Sequence, residues 1–110
     1  MFSINGTAIK ITRGDTGIFT LTIKNGDTEY DYSNDEVLFT VKQNTRVNEH
    51  LIQKAVIYGE NITITPADTQ NLGYGSYVYD VQLTSGGIVD TVIPPSPFIV
   101  CEEVTFNYAE

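Results

Sequence analysis

"TPADTQNLGYGSYVYDVQL", residues 65–83, holds both the one clear interruption of extended periodicity in this chain and its most regular strand pattern. Thr65 stands where a helix N-cap belongs, Pro66 follows at the first helical position, and Asp68 sits at the third. Proline there loses only an N–H that the first turn leaves unpaired anyway, and a carboxylate two residues later accepts the freed backbone donors. The spacing predicts a single helical turn, with Leu72 dropping into the core from its end. Gly73 and Gly75 then let the chain reverse into a strand over Ser76–Thr84, in which Tyr77, Tyr79, Val81 and Leu83 share one face. Tyr77 also has the layout of a tyrosine corner, whose hydroxyl bonds back to upstream backbone.

Outward from this segment the same period of two recurs in short runs punctuated by Gly, Asn and Asp. Upstream, strands are expected over Thr7–Thr12, with Ile9 and Ile11 on one face, and over Gly17–Lys24, with Phe19, Leu21 and Ile23. Asn25-Gly26 suits a tight hairpin turn. Val37, Phe39 and Val41 mark a further strand, residues 43–49 a loop, and Leu51–Tyr58 and Asn61–Thr65 a second hairpin. Downstream, Ser85-Gly86-Gly87 makes a turn into Ile88–Ile93, Pro94-Pro95-Ser96-Pro97 a stiff extended bridge, and Phe98–Phe106 a last strand. The expected fold is all-β: one domain over residues 1–110, an antiparallel immunoglobulin-like sandwich of about seven to eight strands with one short helical turn, and Phe39 and Tyr77 in its core.

Charge narrows the partners. Fourteen acidic residues against six basic give a net charge of −8, so the summed field repels phosphate backbones and anionic headgroups, and neither nucleic acid nor a membrane surface is expected as a partner. Cys101, the sole cysteine, allows no intrachain disulfide and no cysteine-clustered zinc site. "MFSINGTAIKI" has neither the cationic start nor the apolar run of a signal peptide, and no stretch approaches the ~20 apolar residues of a membrane span. A soluble chain that is not exported by the usual route is expected.

Several stretches carry candidate chemistry. Arg13-Gly14-Asp15 matches an adhesion tripeptide, but a cation, a glycine and a carboxylate also make an ordinary solvated turn, expected here at an exposed loop between the first two strands. The acidic run Asp27–Glu36 has acids at alternate positions, yet Tyr32 and Leu38 occupy the places where a calcium loop needs Gly and Glu. It is expected to be a strand with acids outward and Thr28, Tyr30 and Tyr32 inward, with weak cation binding as the alternative. His50 has no nucleophile motif beside it. Asp80 and Asp90 are placed to face each other across the hairpin at Gly86, but like charges directly opposite are destabilising. No catalytic set emerges, and no cofactor is expected. Tyr74, between two glycines, is the aromatic side chain expected to be exposed for a loop contact.

Taken in order, "ITRGDTGIFTLTI", an acidic link into "VLFTVKQ", "ITITPADTQNLGYGSYVYDVQLT" and "FIVCEEVTF" resemble the small immunoglobulin-like domains of bacteriophage and prophage tail or baseplate proteins, in particular the N-terminal domain type of baseplate upper proteins. The likeness runs from about Ile9 to Thr105. It implies that Gly14, Asp15 and Thr16 form a standard link between the first strands, with Pro66 and Asp68 shaping the later turn. It supplies no catalytic residues. The implied role is a non-enzymatic structural module, in the virion or in the bacterial cytoplasm during assembly, whose partners are other tail proteins or copies of itself. The interface is expected on the final strand around Phe98, Ile99 and Cys101, with Glu102 and Glu103 as guards against promiscuous pairing. The alternative function is binding of host-surface polysaccharide through Tyr74 and the acidic run.

Overall fold

Ten strands and one helical turn account for the regular structure of residues 1–103, which are the residues described in this computed structural model. In chain order they are β1 (Phe2–Asn5), β2 (Ala8–Thr12), β3 (Gly17–Phe19), β4 (Lys24–Asn25), β5 (Thr28–Glu29), β6 (Glu36–Lys42), β7 (Ile52–Ala55), β8 (Ile62–Ile64), α1 (Pro66–Thr69), β9 (Gly75–Ser85) and β10 (Ile88–Cys101). The main sheet has the order β1-β2-β10-β9-β6-β7, and the pairs β3-β8 and β4-β5 complete the structure. The all-β sandwich expected from alternation is present. The segment expected at Val104–Phe106 lies outside the described residues.

Alternation builds the core. Val37, Phe39 and Val41 of β6 are buried while Leu38, Thr40 and Lys42 stand on the other face, and Tyr79, Val81 and Leu83 of β9 lie opposite them across the ladder. Ile62 and Ile64 of β8 close the cluster from the small layer. Phe39 is fully enclosed, with Phe19 edge-on at 5.6 Å between ring centroids and Tyr79 tilted against it at 5.2 Å. Burying a side chain of this size stabilises a fold by about 1.5–3 kcal/mol before entropy is counted.

Four features depart from expectation. The main sheet is mixed, because Phe98–Cys101 of β10 runs parallel to Ile9–Thr12 of β2 while the rest of its ladder is antiparallel. Strand β1 gave almost no signal, since only Phe2 of "FSIN" is even partly buried. It joins through the Gly6-Thr7 turn, where Gly6 has φ 64°. The expected strand Gly17–Lys24 is shorter: β3 ends at Phe19, although Leu21 and Ile23 still pack on the core. Finally, the proline bridge is not a break. β10 continues through Pro94–Pro97, with two register shifts against β9 between Thr91 and Ser96. Pro94 and Pro95 are tolerated because they fall in the second of these shifts, between Ile93 opposite Val81 and Ser96 opposite Tyr79, where neither has a partner on β9 and no ladder bond is asked of them.

The turn α1 follows from its sequence. Asp68 accepts a hydrogen bond from the Thr65 N–H at 2.7 Å, and the Gln70 N–H closes the turn on the Pro66 carbonyl at 3.1 Å. Among the described residues no helix is long and apolar enough to cross a membrane.

Candidate functional site

Three places bring polar or unpartnered groups together: the cluster around Arg13, a groove on the outer face of the main sheet, and the open edge of β10.

The first is held by a turn. Gly14 has φ +86°, a conformation that side-chain-bearing residues rarely adopt. Its N–H donates to Thr69 Oγ1 at 2.9 Å, which ties the β2–β3 turn to the fully buried Thr69 of α1. The Arg13 N–H donates to the Cys101 carbonyl, and the guanidinium is spent on three acceptors: Glu103 Oε1 at 2.8 Å, the Leu72 carbonyl at 3.2 Å and the Tyr74 hydroxyl at 2.8 Å. Its plane also lies over the Tyr74 ring, 4.3 Å from the centroid, where a cation is attracted to the π-face. The tripeptide is therefore half-buried and internally bonded, not the exposed tip expected. Asp15 does not cap its own turn by its side chain; the carboxylate pairs with the Met1 ammonium.

Tyr74 is exposed, as expected of it, but its hydroxyl donates to Glu103 at 3.0 Å while accepting from Arg13. Partial burial and the Glu103 bond raise its pKa, and Arg13 opposes them. Glu103 is thus Arg13's partner and not an edge guard. The Tyr77 hydroxyl donates to the Gly73 carbonyl at 2.7 Å, making the tyrosine corner, with the ring half-buried against the core. Asp68 also receives Lys54 Nζ at 2.8 Å. Burial pushes its carboxyl up, but the bonds from Lys54 and Thr65 outweigh that and leave it below the ordinary carboxylate range.

The second place is a groove of about 310 Å³ over the solvent face of β6 and β9. Leu38, Val78 and Pro95 give it an apolar base, while Thr40, Gln53, Gln82, Asn48, Asp80 and His50 supply hydroxyl, amide and ionisable groups. His50, which has no nucleophile motif beside it, reaches the groove together with Thr45 and Asn48 of the segment between β6 and β7, a placement that no local pattern announces. Asp80 and Asp90 do not face each other. Asp80 lies opposite Thr40 of β6, and Asp90 opposite Leu83. Among the described residues no three potential metal ligands come together, the acidic run included. In that run Tyr32 is buried and Tyr30 half-buried, but Thr28 is exposed with its β4-β5 hairpin.

The third place concerns the final strand, whose expected edge is closed while its outer face is where it was expected. Phe98 is fully buried in the core, and Phe98–Val100 is flanked on both sides by β2 and β9, with Cys101 paired to Thr12 of β2, so the stretch flanked on both sides offers no free edge. Ile99 and Cys101 are half-buried on the opposite face. Among the described residues the open side of β10 lies earlier, along Ile88–Pro97, and the exposed large apolar residues Ile88 and Val89 stand at its start. Beside it a cleft of about 420 Å³ opens between the β4-β5 hairpin and the β9-β10 hairpin, lined by Ile23, Lys24, Tyr30, Leu83, Asp90 and Val92 among others.

No family model, no curated protein and no solved structure matches the chain.

Proposed function

We propose that this chain is a non-enzymatic structural and interaction module of a bacteriophage or prophage tail or baseplate, acting through protein–protein assembly. The observation that carries the assembly part is the open strand edge beginning at Ile88 and Val89, which are 68% and 57% exposed. Large apolar side chains next to unpaired backbone groups cost solubility unless a partner covers them. The tail part rests on the motif order from "ITRGDTGIFTLTI" to "FIVCEEVTF". Its site of action is the virion, or the bacterial cytoplasm while particles assemble. The test is co-purification: a tagged chain expressed with the products of the genes flanking its own should bring down a tail protein at fixed stoichiometry. Recovery of the tagged chain alone, from cells producing intact particles that lack it, would reject the proposal.

A second reading is favoured by the outer groove, whose hydroxyl and amide side chains over an apolar base suit a sugar ring. In this reading the domain holds host-surface polysaccharide there, through Asp80 and Gln82, and Tyr74 is not involved because its hydroxyl is committed to Arg13 and Glu103. A glycan array probed with wild type and Asp80→Ala separates the two: a signal lost in the variant supports the sugar reading, and a blank array rejects it.

A further inference from the structure

Among the described residues the main sheet is open at β1, at β7 and along the first part of β10. Natural edges are blunted by shortness, by lysine or by proline. β1 and β7 have four residues each, and β7 carries Lys54. The run Ile88-Val89-Asp90-Thr91-Val92-Ile93 is six residues long, rich in β-branched side chains, and free of lysine and proline until Pro94. Pairing with β9 occupies the backbone groups of alternate residues, and the others direct their N–H and C=O away from the sheet. We propose that this edge is a strand-addition site for an extended segment of another protein in which apolar residues alternate with lysine or arginine. The proposal rests on the assembly reading above and names the surface and chemistry it would use.

Both halves of that pattern come from the surroundings. Ile88, Asp90 and Val92 share the face of β10 that lines the 420 Å³ cleft with Ile23 and Leu83. A strand added beside them would lay every second side chain against this apolar lining, as strand addition elsewhere uses alternate pockets for specificity. The lining itself holds one acid, Asp90, and one cation, Lys24, and the further charges beside it among the described residues are acidic. Asp90 is exposed with no ion-pair partner among the described residues, Tyr30 in the lining donates to the Asp35 carboxylate, and Glu36 lies opposite Thr84 at the end of the ladder. Charge also argues against a second copy as the occupant: each chain carries −8 and would bring its own Asp90 and acidic rim to the same edge. Asp90 thus guards the edge against self-pairing while marking it for a basic strand.

The probe is a fluorescein-labelled ten-residue peptide of alternating valine and lysine, titrated with the full chain and followed by anisotropy. Two controls accompany it: a peptide of the same composition interrupted by a central proline, and one with glutamate in place of lysine. Saturable binding is expected for the first, at least tenfold weaker for either control and for Asp90→Lys, and unchanged for Glu60→Lys, which alters net charge equally at the exposed Gly59-Glu60 turn. Equal binding of the proline-interrupted peptide, equal effects of the two charge reversals, or no binding at millimolar concentration would overturn the proposal. So would a chain that at neutral pH dimerises through this edge in light scattering and excludes the peptide. A chain that co-purifies with tail proteins yet ignores the peptide removes the edge but leaves the assembly reading. Peptide binding without tail association does the reverse.

Discussion

Replacing Arg13 by alanine removes three side-chain donors and a ring contact at once, and leaves the Glu103 carboxylate, whose side chain is 15% exposed, without its cation. A loss of about 1–3 kcal/mol is expected, since charged hydrogen bonds dominate and the site is only partly dry. Arg13→Lys should recover less than half of it, because an ammonium cannot reach three acceptors as a planar fork does. Urea unfolding of both variants checks this, and equal midpoints for wild type and Arg13→Ala would show the cluster to be ornamental. Asp68 gives a pH prediction. Its folded pKa lies below the unfolded value, so its contribution is present above that unfolded value and is lost as pH falls through the folded one. Thermal midpoints should therefore drop on acidification below about pH 4, and Asp68→Asn should flatten that slope. Neither partner of Asp68 or Arg13 was legible locally. Asp68's place in the turn was, because Thr-Pro-x-Asp is read within four residues; Lys54 and Glu103 lie far along the chain.

At the level of elements, β1 shows what alternation misses. Its hold on the fold is Phe2, whose ring stacks on Phe19 at 5.6 Å and lies directly over Gly17. A Cβ at position 17 would stand 2.4 Å from that ring, so Gly17→Ala should displace Phe2 and cost about 1–3 kcal/mol. In the Phe2→Ala background the same substitution should cost far less, a non-additivity that a double-mutant cycle measures. For β6, Phe39→Ala is expected to cost about 3–5 kcal/mol, since three aromatic rings border the space it would leave. A near-unchanged denaturation midpoint would mean that the core collapses around the loss. The faces of β6 and β9 were readable from side-chain period alone. β10 was read as two strands because proline commonly ends a ladder; its continuation rests on a register shift that leaves Pro94 and Pro95 without a ladder partner on β9.

Over the whole molecule, excess acid sets association behaviour more than fold. With a net charge of −8 and an isoelectric point near 4.3, repulsion between copies should keep the chain apart at neutral pH and fade as pH approaches that value. Light scattering is expected to show association rising toward pH 4.3, and sooner in wild type than in Ile88→Lys, which breaks the apolar start of the open edge. An identical rise in both would place the contact elsewhere on the surface.

What the amino-acid sequence determined by itself was the all-β class, most strand positions, the turn at Pro66 and the inward faces of β6 and β9. These depend on backbone preferences and on alternation, which act over a few residues. Only the tertiary structure decided that β2 lies parallel to β10, that Phe98 is core and Ile88–Ile93 is edge, and that Arg13 is consumed by Glu103, 90 positions away. Strand order is chosen by which distant hydrophobic faces bury one another best, and a side chain's partners follow from that order. The same run of β-branched residues can therefore lie inside a sheet or along its edge without any change in its own sequence.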